Sequence, residues 1–467
     1  MDFMECLKEA SNVKPSQNQI EWFKMERYAF VHFGVNTFTN REWGDGCEDE
    51  KIFDPKKIDC DQWAKVLKET GFNGMILTCK HHDGFCLWPS KFTNHCVKKI
   101  NVVKMASQAC KKYGIKFGIY LSPWDRNSKY YGSEEYNDYY CKQLEELLCN
   151  YGKLFCVWWD NACGEGPSGK KQVYDFDRYI SLVRKWQADA VIFNDYGPDI
   201  RWCGNEAGCS RSAEWSTVPV ELCHFSKIQT SAFPLSDSGN LSFIFNSHES
   251  LGDLSTILYS KGLTFTPCET NTSIHKGWFY HEEENPKSLE ELFKIYLNSA
   301  GNNSCLNLNI PPDKNGLFAQ RDVDRLYEFN SFLKKEFSND VTLNFWECDS
   351  CGNKIESHSM QKNFCIEINV PVEKIKYLEV MEKIEEGQRI ESFIIYSDEK
   401  GGSSFPLYEG KTVGWKKICM LKNPFEKQNI LLEDSSSVKN DGKKHYLFFK
   451  VTAARWEALL KSIKVFS

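Results

Sequence analysis

The sequence predicts an α/β fold: a (β/α)8-like TIM barrel over residues 1–337, followed by an antiparallel β-sandwich over 338–467. Three observations point there. Apolar strand-like runs alternate with helical spacing for some three hundred residues, which calls for a parallel sheet, and this many units favour a closed barrel. Several of those runs end on a histidine, a carboxylate or an amide. Beyond residue 340 the texture changes to short alternating runs between Gly, Asn, Asp and Ser, as in a sandwich.

The elements follow in order. Residues 28–34 read as a strand carrying His32 near its end, and a polar loop with Glu42 and Trp43 follows. Trp63, Val66 and Leu67 give helical spacing over 61–70, stopped by Gly71. The strand 74–80 runs into His81, His82 and Asp83, and a helix over 102–113 ends at Gly114. The strand 116–122 carries Tyr120, and a long helix over 134–150 precedes the run 154–160. That run places four apolar residues and two indoles directly before Asp160. A charge at the end of a doubly buried strand is expensive unless a ligand or partner uses it. Taken alone, Asp160 could equally cap the next segment or pair with a lysine.

A helix over 174–186 and a strand over 190–195 repeat the unit, and Glu206 lies in the polar loop 196–215. Residues 216–262 show only short apolar pieces. A strand is expected over 262–267, then a loop carrying Trp278, helices over 287–299 and 320–336, and the run 304–312 between them. The sandwich strands are expected over 363–369, 376–381, 391–396 and 445–452.

Composition bounds the function. The net charge of −6 argues against a nucleic-acid surface, and no window approaches a membrane span. Aromatics reach 14%, and indoles stack on the apolar faces of sugar rings, although a large aromatic core would use them too. The 20 cysteines are scattered, several inside apolar runs, and Cys348–Cys351 is the single CxxC. The first residues lack a basic region and an apolar stretch, so free thiols in the cytoplasm are expected.

Strand C-termini of a parallel barrel share one face. That gathers His32, His81, His82, Tyr120, Asp160 and Asn194 or Asp195 at one mouth, with Glu206, Trp43 and Trp278 from adjoining loops. Each has a plainer explanation as a core or capping residue. Together they offer polar groups for hydroxyls and an aromatic wall, as a monosaccharide pocket needs. A metal competes for the same residues, but His81 and His82 are adjacent and no helical i, i+4 ligand supports them, so no metal is expected. No G-x-S-x-G elbow is present, and the Gly-rich segment at Gly164 and Gly166 is broken by Pro167. Asp160 and Glu206 remain as the acid pair that glycoside hydrolysis requires, with Glu165 a rival in a solvated loop.

These stretches together resemble the α-L-fucosidases of glycoside hydrolase family 29. The likeness rests on residues 32–34, 42–44, 80–90, 120–126, 157–160, 197–202, 204–208, 277–280 and 306–312, and more weakly on 385–393. It implies a retaining exo-acting fucosidase acting on fucosylated glycans, without metal or organic cofactor. By that resemblance Asp160 matches the nucleophile. Glu206 matches the acid/base of the subfamily that prefers α-1,3 and α-1,4 linkages. His32, Glu42, Trp43, His81, His82, Tyr120 and Trp278 match the fucose pocket. The chain departs from the family pattern in a shortened linker between Val97 and Val102, in Asn161 beside Asp160, and in His275 where an arginine is usual. The last is expected to remove a pocket contact. A fucose-binding lectin and a glycosidase of altered sugar preference are the alternatives.

Overall fold

The computed structural model describes residues 3–195, 197–223, 250–258, 260–397, 406–425 and 444–467. Helices α1 (Phe3–Asn12) and α2 (Gln17–Phe23) precede β1 (Arg27–Val31). The Ser16 side chain and Gln19 cap each other's backbone N–H to start α2. The chain continues through α3 (Val35–Thr39), α4 (Cys60–Glu69), β2 (Gly74–Lys80), α5 (Val102–Tyr113), β3 (Lys116–Leu121), α6 (Glu134–Asn150), β4 (Leu154–Trp158), α7 (Phe176–Trp186) and β5 (Val191–Phe193). Asp59, Asn101 and Asp175 each accept an N–H of the first turn of the helix they precede, which sets where α4, α5 and α7 begin.

The second half is less regular. β6 (Arg201–Trp202) follows β5 with no helix between them. Then come β7 (Thr217–Pro219), α8 (Leu254–Ile257), β8 (Leu263–Phe265), β9 (Cys268–Ser273), α9 (Leu289–Leu297), β10 (Ser304–Asn309) and α10 (Gln320–Glu336). The main sheet runs β5-β4-β3-β2-β1-β10-β9-β6, every neighbouring pair parallel. A parallel bridge between Phe193 and Ile200 joins its two outer members, so the eight strands close into a barrel. All strand C-termini therefore face one mouth.

Two expectations need correction. The apolar piece at 262–267 does contain a strand, β8, but it pairs antiparallel with β7 outside the barrel. The barrel strand is the next one, β9, whose six residues are all buried although only Cys268 is apolar. Within 216–262, β7 and α8 are ordered elements, and residues 224–249 lie outside the described chain.

The C-terminal part is a two-layered antiparallel sandwich. Its strands are β11 (Thr342–Cys348), β12 (Asn363–Ile368), β13 (Tyr377–Glu382), β14 (Ile390–Ser397), β15 (Pro406–Lys411), β16 (Lys417–Met420), β17 (His445–Ala454) and β18 (Leu460–Phe466). They form one sheet β11-β12-β17-β14-β15 and another β16-β13-β18. Ile366, Phe393 and Phe449 of the first pack with Leu378, Val380 and Val465 of the second. The sandwich is welded to the barrel: Tyr377, Ile418 and Phe466 join the barrel's apolar cluster, and Trp415 stacks on Phe23 at 5.2 Å. Lys416 pairs with Glu26 at 3.1 Å across the same seam.

The described cysteines are all free thiols, most of them buried as small apolar groups. Of the CxxC pair, Cys348 is buried and Cys351 exposed.

Candidate active site

Asp160 stands two residues beyond β4, its side chain 28% exposed at the barrel mouth. Tyr120, the fifth residue of β3, is buried, and its hydroxyl donates to Asp160 Oδ2 at 3.0 Å. Its ring is part of the core while its oxygen reaches the mouth. His82 Nε2 approaches the same Oδ2 at 3.7 Å, while Asp160 Oδ1 accepts the backbone N–H of Ala162 at 2.8 Å.

β2 ends at Lys80, so His81 and His82 escape the alternation of a strand. Their rings lie 4.1 Å apart on the same side. His82 Nδ1 sits 2.7 Å from Ser122 Oγ, which donates onward to the Trp124 carbonyl. Burial depresses the pKa of both histidines, and for His81 the neighbouring imidazoles His82 and His32 add to it. His32 follows β1, and burial brings its pKa down to about 4. Its tautomer follows from its neighbours. Asn309 Nδ2 donates to the Trp278 carbonyl at 2.7 Å, which fixes Asn309 Oδ1 toward His32 Nδ1 at 2.8 Å. Nδ1 therefore carries the hydrogen, and Nε2 keeps a lone pair.

Glu206 lies in the loop after β6, flanked by Gly204 and Gly208, both at positive φ. Its residue surface is open to solvent, yet protein packed round the carboxyl raises its pKa. A hydrogen bond from Trp278 Nε1 at 3.3 Å works against that rise, and the charges of Asp160 and Glu42 reinforce it. Glu42 itself holds the Trp278 loop. Its Oε2 accepts the N–H of Trp278 at 2.7 Å, and its Oε1 meets Phe279 N at 3.3 Å and His281 Nε2 at 2.7 Å. A Cβ on Gly277 would collide with Glu42 Oε1, so a side chain there would have to displace that carboxylate. Trp43, 57% exposed, stands edge-on to His82 at 5.7 Å and to Trp124 at 5.4 Å.

The structure thus gathers all nine expected side chains at the mouth, with Glu42 engaged by the Trp278 loop. His275 does not join them. It is buried against α10, with Nε2 2.8 Å from Asp322 Oδ1, so at the position where the family has an arginine this side chain reaches no pocket group. Glu165 offers its backbone carbonyl to Trp124 Nε1 at 3.1 Å.

Sequence reasoning passed over two supporting residues, Asn309 and Ser122, and left Asp195 as an alternative to Asn194 without a role. Asn309 orients His32, and Ser122 meets His82. Asp195, after β5, is bound by the Asn161 side chain. Burial, and then the charge of Asp160, pushes its pKa up to about 8. Among the described residues no three His, Cys, Asp or Glu side chains are placed to hold a metal ion, and no helix is long and apolar enough to cross a membrane.

Chemically, the mouth offers one carboxylate held by a phenol, a second carboxyl whose pKa is raised, neutral imidazoles and indole walls. A sequence model of the family described as "Alpha-L-fucosidase" matches residues 10–337. The chain belongs to the α-L-fucosidase family. It is 35% identical over 453 residues to Alpha-L-fucosidase 1 of Arabidopsis thaliana, an alignment covering 90% of this chain and 84% of that protein. A crystal structure of a glycoside hydrolase 29 family member from an unknown rumen bacterium superposes with TM-score 0.78 at 31% identity, covering 97% of this chain and 77% of that one. A Ruminococcus gnavus GH29 fucosidase in complex with fucose superposes with TM-score 0.78 at 26% identity, over 98% and 95% of the two chains. The chain is accordingly an α-L-fucosidase, a glycoside hydrolase, built on the barrel described above.

Proposed function

We propose that this α-L-fucosidase is a retaining exo-enzyme that releases terminal fucose from branched glycans, with Asp160 as nucleophile and Glu206 as acid/base. The observation that carries the reading is the contrast between the two acids. Asp160 Oδ2 accepts from Tyr120 at 3.0 Å beside His82, which suits an anion that attacks. Glu206 has its pKa raised by burial and by the charge of Asp160, which favours the protonated form that a general acid uses.

In this mechanism Asp160 attacks the anomeric carbon while Glu206 protonates the departing glycosidic oxygen. The bond to the aglycone breaks and a glycosyl ester forms on Asp160. Esterification removes the negative charge of Asp160, one of the causes of the raised Glu206 pKa. Glu206 then takes a proton from water, which opens the ester and restores both carboxyls. A retaining pair stands roughly 5–5.5 Å apart. The neutral imidazoles of His32 and His81, and His82, supply partners for fucose hydroxyls, and Trp278 and Trp43 supply the apolar walls.

The fucose complex of the Ruminococcus gnavus relative supports a fucosyl substrate. The α-1,3/1,4 preference rests on the resemblance of residues 204–208 to that subfamily. Two experiments test the reading. Asp160→Gly should abolish hydrolysis of an aryl α-L-fucoside, and azide should restore turnover as a glycosyl azide. Activity that survives the change unaided removes Asp160 from this role. Product analysis against α-1,2, α-1,3, α-1,4 and α-1,6 fucosides tests the linkage, and faster release from α-1,2 or α-1,6 would refute the preference.

A further inference from the structure

One carboxyl inside the barrel has no part in the chemistry proposed above. Glu269, the second residue of β9, is 0% exposed. Burying a carboxyl is costly unless its oxygens are satisfied, and here they are. Oε1 accepts from Trp158 Nε1 at 3.0 Å and from Asn307 Nδ2 at 3.2 Å, and Oε2 accepts the hydroxyl of Tyr28. The Tyr28 oxygen in turn accepts from Trp22 Nε1 at 3.0 Å. Strands β1, β4, β9 and β10 therefore meet on one side chain.

One arm of this network leads to the mouth. An indole N–H can only donate, so an acceptor at Glu269 fixes which way the Trp158 ring edge points. The Trp158 ring stacks on Phe193 at 4.1 Å and 6°, and on Tyr120 at 5.3 Å and 28°. Phe30 meets it edge-on at 4.8 Å. Tyr120 then donates to Asp160 Oδ2 at 3.0 Å. Trp158 also sits two residues before Asp160 on the same run of chain.

We infer that Glu269 is a positioning residue for the reaction: by fixing the Trp158 indole it holds the Tyr120 hydroxyl on the Asp160 carboxylate. The inference rests on Asp160 acting as the nucleophile. It assigns Glu269 no contact with substrate and no proton transfer, only the placement of a ring.

Three variants of the full chain test it on an aryl α-L-fucoside. Glu269→Met removes the acceptor, Glu269→Gln keeps one oxygen for Trp158, and Trp158→Phe removes the N–H but keeps a ring to stack. Misplacing a reacting group by about an ångström can slow a reaction about a hundredfold. Glu269→Met and Trp158→Phe should therefore lower kcat on the order of 10–100-fold, with KM within about threefold. Glu269→Gln should recover most of the loss. Adding Tyr120→Phe to either damaged variant should have little further effect, since the two changes act on one contact. Equal damage from Gln and Met, full additivity with Tyr120→Phe, or a change confined to KM would overturn the inference.

Glu269→Met leaves three buried donors without an acceptor and can fail to fold, so Trp158→Phe carries the same test. A crystal structure of whichever variant folds reads the geometry without turnover. The Tyr120 hydroxyl should move away from Asp160 beyond 3.0 Å, and an unmoved hydroxyl overturns the inference. Failure of azide rescue in Asp160→Gly would instead strike the nucleophile reading, so the two failures are told apart.

Discussion

Tyr120 lies on β3 and Asp160 just beyond the adjacent strand β4, and the phenol donates to the carboxylate at 3.0 Å across the mouth. The pair links core to chemistry, because the Tyr120 ring is 1% exposed while the Asp160 side chain remains 28% open. A hydrogen bond to an ionised group contributes roughly 1.5–3 kcal/mol. Here it sits on the oxygen that His82 also approaches.

Replacing Tyr120 by Phe keeps the ring that stacks on Trp158 and deletes only that donor. The expected result is a fall in kcat/KM on the order of 10–100-fold, corresponding to roughly 1.5–3 kcal/mol. Thermal unfolding should stay close to wild type. Steady-state kinetics beside a melting curve check this, and a large loss of stability with unchanged kinetics would assign Tyr120 to the core alone.

The Trp278 indole donates to Glu206 at 3.3 Å, and that bond favours the ionised carboxylate, against the burial that raises its pKa. Trp278→Phe removes the donor and leaves the burial. The alkaline limb of the kcat/KM profile, which reports the acid in the free enzyme, should move upward. A limb that moves downward or vanishes would mean that Glu206 is not the group titrating there. Glu206→Gln should erase the limb together with most turnover of substrates whose leaving groups need protonation.

Much of the barrel was legible because its first five strands are largely apolar runs separated by stretches of helical spacing. Asp160 stood out for the same reason: a charge ends a run that is otherwise buried. β9 was illegible because its interior face is polar. Glu269, Thr270 and Asn271 are buried through side-chain partners rather than apolarity, and hydrophobic periodicity cannot register that. A charge centred in a run of buried-size polar residues was the available signal. β6 spans two residues, too few to show any period. Where His275 points could not be read from the sequence, because its partner Asp322 lies 47 residues away on α10. The sandwich edges β11 and β15 escaped because an edge strand with exposed residues lacks a clean alternation.

Lys80 closes β2 with its ammonium buried, 3.0 Å from Asp125 Oδ2 and 3.0 Å from Gln143 Oε1. Asp125 in turn accepts the backbone N–H groups of Asn127 and Ser128 at 3.0 and 2.8 Å, shaping the loop that carries Trp124 and Arg126. Lys80→Met strands the Asp125 charge in a site 1% exposed. Breaking such a pair typically costs about 3–5 kcal/mol. Chemical denaturation should show a loss of that size. Adding Asp125→Asn should return part of it, and no recovery would mean that the ammonium's packing, not the stranded charge, dominates.

Stability should also depend on pH in a direction the buried groups dictate. His32, at about 4, and His81 and His82, both depressed by burial, are neutral in the folded protein. Their contribution is complete above the ordinary histidine value of about 6.5 and is lost as pH falls through the folded values. Asp195, at about 8, and Glu269 and Glu382, both at about 7, are raised by burial. Their contribution is complete below the ordinary carboxyl values near 4 and is lost as pH rises through 7–8. Between about pH 4 and 6.5 the two sets oppose each other, whereas above 6.5 only the acids still change. The apparent Tm should therefore fall from pH 6.5 to 8.5. Glu382 gives the clearest separate check, because it lies in the sandwich, far in sequence from the mouth, and accepts the N–H groups of Arg389 at 2.8 Å, Ile390 at 3.0 Å and Gly414 at 2.6 Å. Glu382→Gln should lower Tm at pH 6.5, since its amide must turn an N–H toward one of those donors, and it should flatten the decline above that pH. A wild-type Tm that is level or rising over the same interval would show that these acids are already ionised in the folded chain.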